Sequence, residues 1–122
     1  MIEIKNLKEM KPYYNRDTNT YEFAKNGEKL DVCFNIPLNI KANIKARNIK
    51  ATDIKAQDIN ADSINASNIN AWDINSWNVD AKNIEFYAIC CAYNSLKCIT
   101  IKGKRENSKY FCLDNDIEFI EE

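Results

Sequence analysis

Residues 43–87 read NIKAR NIKAT DIKAQ DINAD SINAS NINAW DINSW NVDAK NIEFY, five-residue blocks in tandem. Ile stands second in nearly every block, at 44, 49, 54, 59, 64, 69, 74 and 84, with Val79 in the remaining one. Ala stands fourth at 46, 51, 56, 61, 66, 71 and 81, and Ser76 takes that place once. Asn or Asp precedes most of the Ile residues. A tandem repeat decides the architecture before any local propensity is weighed.

A period of five suits neither ordinary element. In a strand, alternate residues share a face, so Ile49 and Ile54 would point to opposite sides and half of the Ile would face water. In a helix, about 100° per residue spirals the Ile around the rod with no apolar stripe. Ile, Asn and Asp are also modest helix formers. A coil resolves the conflict. Each Ile-x-Ala triplet is a short extended side with both apolar groups inward, and the next two residues bend the chain. Asn, Asp and Ser suit such bends because their side chains bond nearby backbone groups. Four bends would close a coil of twenty residues, and coils would stack at about 4.8 Å, each covering its neighbour's backbone groups.

On these residues the chain resembles the pentapeptide-repeat family, whose members form a right-handed four-sided β-helix. The family pattern runs small residue, Asp or Asn, large apolar residue, then two free positions, with the first and third inward. If Ile held the central position, Arg47, Thr52, Gln57, Asp62, Ser67, Trp72, Trp77 and Lys82 would have to line a narrow core. With Ile first and Ala third, every inward position is apolar or small. The chain is thus a variant with the large and small inward roles mostly exchanged. Ile84/Phe86, Ile89/Cys91 and Ile99/Ile101 are read as later inward pairs, and Asn94/Leu96 as a polar lapse. The expected fold is all-β, a right-handed four-sided parallel β-helix of about three coils with β-hairpin caps at both ends.

The flanks divide the chain into residues 1–42, an amino-terminal cap; 43–102, the β-helix; and 103–122, a capping loop and hairpin. Asn6 to Met10 reads as one helical turn. Asn26-Gly27 between two alternating runs is the pair preferred for a tight hairpin turn. A second hairpin is read in Tyr110–Ile120, turning near Asn115. Caps shield the open backbone edges of a stack.

The 122 residues suit one domain, and a formal net charge of −1 points to no polyanion partner. No apolar run reaches the length of a membrane span and no secretory signal opens the chain, so no membrane partner is expected and a cytoplasmic location is the default. Cys33, Cys90, Cys91, Cys98 and Cys112 are an odd number, consistent with reduced thiols. Without His or paired C-x-x-C spacing, neither a metal site nor a cofactor is expected. No Gly-rich phosphate loop or nucleophile elbow appears, and no imidazole stands by to activate a thiol. No enzymatic activity is expected.

Function then rests on outward residues. A twenty-residue coil would align Arg47, Ser67 and Tyr87 in one column, and place Trp72 and Trp77 on adjacent faces of the middle coil. Exposed Trp is enriched where proteins meet partners. Trp72, Trp77, Tyr87 and Arg47 are therefore the candidate partner-binding residues of a small rigid module that binds another protein or its own copy. Asn60, Asn65, Asn70 and Asn75 are read as a structural ladder between coils. The family resemblance implies an alternative, mimicry of duplex DNA toward a type II topoisomerase such as gyrase, which needs a strongly acidic rod. A third reading is weak nucleic-acid binding through Lys41, Lys45, Arg47, Lys50 and Lys55 of the first coil together with the Trp pair.

Overall fold

The computed structural model describes residues 1–120. Its pentads wind into a parallel β-solenoid, the arrangement their inward pattern demands. Ile59 pairs with Ile44, Ala61 with Ala46, Ile64 with Ile49 and Ile69 with Ile54, all in parallel register. Each partner lies fifteen residues away, three pentads rather than four. The coil is three-sided, which corrects the four-sided reading. The repeat marks where the chain bends and leaves open how far. Three sharper bends and four gentler ones satisfy the same alternation, and only the pairing between coils separates them.

We name the sides by their Ile residues. Face A carries Ile44, Ile59 and Ile74; face B carries Ile49, Ile64 and Val79; face C carries Ile54, Ile69 and Ile84. All nine side chains are buried, with Ala46, Ala56, Ala61, Ala66, Ala71 and Ala81 beside them. Ser76 takes an Ala position and is equally buried; its hydroxyl lies 3.1 Å from the Asp62 carbonyl oxygen and 3.0 Å from that of Asn78. A buried hydroxyl with a partner costs little.

The solenoid begins before the repeats do. Within 1–42, Tyr21 pairs with Ile44, Val32 with Ile49 and Leu38 with Ile54, so this segment supplies a complete coil above the first pentads. Ile2–Ile4 adds a further strand above Val32–Phe34. The expected hairpin is present where Ala24–Lys25 pairs antiparallel with Glu28–Lys29. Asn26 (φ 52°) and Gly27 (φ 80°) make its turn in the left-handed region. A 3₁₀ helix, Leu7–Tyr13, is capped by Asn6, whose Oδ1 accepts the Glu9 N–H at 3.2 Å. It lowers Met10 into the mouth of the tube, where Tyr13 packs on Phe23 (4.9 Å between rings) and Phe23 on Phe34 (5.6 Å).

Below Phe86 the phase slips. Ile89 is 47% exposed, while Cys90 and Ala92 are buried, and so are Leu96 and Cys98. The Ile89/Cys91 and Ile99/Ile101 pairs of the sequence reading are thus corrected to Cys90/Ala92, Leu96/Cys98 and Ile101/Gly103, and the lapse at Asn94 disappears. Ile101 pairs with Ile84, seventeen residues away, so this coil is two residues longer. The slip follows the one large ring inside the pentad coils. Phe86 fills a place that Ala holds in the coils above, and Cys90, in a place that Ile holds above, gives back space. Gly103, directly below Phe86, has no room for a side chain: a Cβ there would sit 2.9 Å from the ring Cζ and run into Ser108 Oγ.

The carboxyl-terminal hairpin is also corrected. Lys109–Cys112 runs parallel beneath Ile89–Ala92, and Glu118–Phe119 parallel beneath Lys97–Cys98. These strands extend faces A and B by one incomplete turn, which satisfies the backbone groups of the coil above as a folded-back hairpin would not. With the coils that begin at Tyr21, Ile44, Ile59, Ile74 and Cys90, the stack has about five turns where three were expected.

Ile64→Ala should cost about 2–5 kcal/mol, the usual result of a cavity in a filled core, whereas Ile89→Ala should change stability by less than about 0.5 kcal/mol. Urea denaturation of the two variants checks the slip, because the pentad alone treats both positions alike. Gly103→Ala should destabilise by about 1–3 kcal/mol through overpacking. Adding Phe86→Leu should recover part of that loss in a double-mutant cycle.

Candidate functional site

Fifteen-residue columns rearrange the outer surface. Gln57, Trp72 and Tyr87 share the corner between faces C and A, with the Trp72 N–H donating to the Gln57 carbonyl at 2.8 Å. Arg47, Asp62 and Trp77 share the corner between faces A and B, and one coil lower Tyr93 packs on Trp77 with rings 5.2 Å apart. Trp72 and Trp77 therefore stand at the two corners that bound one face, rather than on adjacent faces.

The lower half of face A is lined accordingly. In the coil of Ile74, Trp72 and Trp77 flank Asn75. In the next coil, Tyr87 and Ile89 stand at one corner, Cys91 in the middle and Tyr93 at the other. Below them lie Phe111, beneath Cys91, and Leu113, whose N–H donates to the Ala92 carbonyl. Trp72 (56%), Trp77 (53%), Tyr87 (50%), Ile89 (47%), Phe111 (38%) and Leu113 (59%) all keep much of their surface in water. Exposed rings of this kind are scarce on the rest of the coil, whose mid-face positions are Lys45, Lys50, Lys55, Asn60, Asn65, Asn70, Asp80 and Glu85.

Arg47 does not join this surface. Its Nε and Nη2 donate to the two carboxylate oxygens of Asp31 at 2.8 and 3.1 Å, and Asn48 adds a bond at 2.9 Å. Hydrogen bonding from Arg47 holds the Asp31 carboxyl below its ordinary range. The pair fastens the return from the Ala24–Lys29 hairpin to the first pentad coil. Asp62, between Arg47 and Trp77, is bound to Lys29 at 2.7 Å.

The hydrogen-bonded ladders lie at the corners, in the residues that precede each inward Ile. Asp53 Oδ1 accepts from Asn68 (2.7 Å), Asn68 from Asn83 (2.9 Å) and Asn83 from Thr100 (2.8 Å). A second column joins Ser63, Asn78, Asn94 and Ser95. In the third, Asn43 accepts the Asp58 N–H at 3.0 Å and Asp73 the Ile89 N–H at 3.1 Å. This corrects the sequence reading: among the described residues, the side chains of Asn60, Asn65 and Asn75 form no hydrogen bond, and Asn70 only accepts from Lys104 at 3.5 Å.

Burial pushes the Cys90 thiol up to about 12, with Cys98 and Cys91 adding to the effect, and burial likewise raises Cys98 and Cys91. A nucleophilic cysteine needs the opposite shift. Among the described residues no three metal-binding side chains converge, and no helix is long and apolar enough to cross a membrane. A cleft of about 800 Å³ lies beside the Ala24–Lys29 hairpin. It is open, and its lining mixes Arg16, Lys29 and Lys45 with Asp17 and Glu22.

No protein-family model matches this chain, and no curated protein or solved structure does either. The exposed aromatic surface must be interpreted from its own chemistry.

Burial first, and then the nearby Asp73 charge, raise the Asp58 carboxyl above its ordinary value. The fold therefore penalises the ionised form at neutral pH, and the penalty disappears below the unfolded pKa, where both states are protonated. Asp58 is exposed, so Asp58→Asn should raise Tm only slightly at pH 7, with the gain shrinking as pH falls and absent below about pH 4. Thermal melts across that range check the sign.

Proposed function

We propose that this protein is a small non-enzymatic binding module that docks a protein surface, another chain or its own copy, on the lower half of face A. The observation that carries the reading is the gathering of Trp72, Trp77, Tyr87 and Ile89 on one side of a rod whose mid-face positions in the pentad coils are otherwise polar or charged. Trp and Tyr dominate binding energy when a partner dries them. A filled solenoid also holds them on a rigid frame, so little conformational entropy is lost on docking. The anchors are Trp72 and Trp77, with Tyr87 in support; Arg47 serves the fold.

Pentad winding is what the chain shares with the pentapeptide-repeat family, but its coil closes in three sides. We therefore carry no topoisomerase role over from that resemblance, and a net charge of −1 makes a poor imitation of duplex DNA. The basic coil of Lys45, Lys50 and Lys55 is separated from the Trp pair by the coil of Asn60, Asn65 and Asn70. A nucleic-acid strand would gain no contiguous contact with both.

Trp72→Ala combined with Trp77→Ala should leave the melting temperature within a few degrees of wild type. The same double variant should abolish both capture of a partner from native-host extract and concentration-dependent association in light scattering. Retention of every interaction by the double variant overturns the reading.

A further inference from the structure

The same surface carries a charge pattern that selects its partner. Below the aromatic rows, the corner between faces C and A is basic. The Arg105 N–H bonds the Tyr87 carbonyl at 3.0 Å, and Lys109 lies under Ile89. The corner between faces A and B is acidic at the same level. The Asp114 N–H bonds the Tyr93 carbonyl at 2.9 Å, and Asp116 follows Asn115, which is tied to the Asn94 carbonyl at 2.6 Å. Among the described residues, none of Arg105, Lys109, Asp114 and Asp116 takes part in an ion pair; nearby Lys104 is paired with Glu85, and Lys97 with Glu118. Glu106 stands in the basic loop and offsets part of its charge. Higher on the C–A corner, Asp73 is committed to the Ile89 N–H.

We infer, on the basis of the binding surface proposed above, that its occupant is a second copy of this chain, docked face A to face A with the two solenoid axes parallel. Two copies that meet through one shared patch are related by a two-fold axis. If that axis runs along the solenoid, each C–A corner meets the other copy's A–B corner. Arg105 and Lys109 then face Asp114 and Asp116, twice over. If the axis runs across the solenoid, like corners meet head to tail, so the lower charges of one copy lie opposite the other copy's upper rows and not opposite its lower charges. The first arrangement brings the unpaired charges of opposite sign together, and the second does not. The area is also suitable. With about 150–250 Å² for each aromatic side chain, the exposed apolar groups of the patch amount to roughly 600 Å². The polar rim brings this close to the ~800 Å² that a stable interface takes from each partner.

The test is a charge swap read by light scattering on full-length protein at about 50 µM, with circular dichroism confirming that each variant is folded. Wild type should have twice the chain mass, and Trp72→Ala/Trp77→Ala should be a monomer. Arg105→Glu/Lys109→Glu and Asp114→Lys/Asp116→Lys should each weaken association by about tenfold or more through like-charge contact. Mixed in equal amounts, these two variants should recover the dimer, because each then offers the other the missing sign. If either single swap dimerises as well as wild type, the parallel arrangement is wrong. A wild type that stays monomeric to about 200 µM overturns self-association altogether, whereas the module reading fails only if the Trp double variant also keeps its captured partner. A Trp double variant that remains dimeric removes face A as the contact.

Discussion

The inside of the tube is the constraint on which everything else depends. Each coil encloses a cross-section that three large and three small side chains must fill, with no second layer to absorb an error. Close packing leaves few voids in such an interior, so a change at one inward position must be answered at another in the same coil or the next. Phe86 shows the rule at work. Its ring exceeds the Ala it replaces, and the answers are Cys90 in an Ile place on the next side and a bare glycine at 103 beneath it.

The corners carry the second requirement. A backbone that bends after every second inward residue leaves N–H and carbonyl groups to be satisfied, and stacking supplies most of them from the coil above. The Asp53, Asn68, Asn83 and Thr100 column completes the task with side chains, and it runs unbroken through the slip. Polar residues at these sites are therefore structural, even where they are exposed. The mid-face Asn residues look identical in the sequence, yet Asn60, Asn65 and Asn75 contribute nothing to the ladders. Position within the pentad, rather than residue type, separates the two roles.

Much of this was legible in the chain itself. Alternation within each pentad is a local property, so the inward Ile and Ala, the outward Trp72 and Trp77 and the Asn26-Gly27 turn could all be read from neighbouring residues. The number of sides could not, because fifteen and twenty are both multiples of five and pairing between coils is a long-range property. That single ambiguity moved Trp72 and Trp77 from adjacent faces to the borders of one face, and detached Arg47 from Tyr87. The slip was hidden for a different reason: Ile89 stands where the next repeat should begin, and only the volume of Phe86 one side earlier argues against it. Parallel strands at 109–112 and 118–119 read as a hairpin in the sequence because Asp114-Asn-Asp116 has the composition of a tight turn.

The departures from the repeat are not scattered. The coil below Phe86 is longer by two residues, one at each corner bordering face A: Tyr87-Ala88-Ile89 bridges Phe86 to Cys90, and Tyr93-Asn94-Ser95 bridges Ala92 to Leu96. Each insertion rotates an apolar side chain outward that strict periodicity would have buried or omitted, Ile89 at one corner and Tyr93 at the other, directly below the two Trp residues. A core under volume strain alone would have been relieved by smaller inward residues without adding chain at the surface. Regular proteins tend to break their own rules where they bind. Here one adjustment both accommodates Phe86 inside and widens an aromatic face outside, so the irregular coil and the proposed binding surface are one feature of the fold.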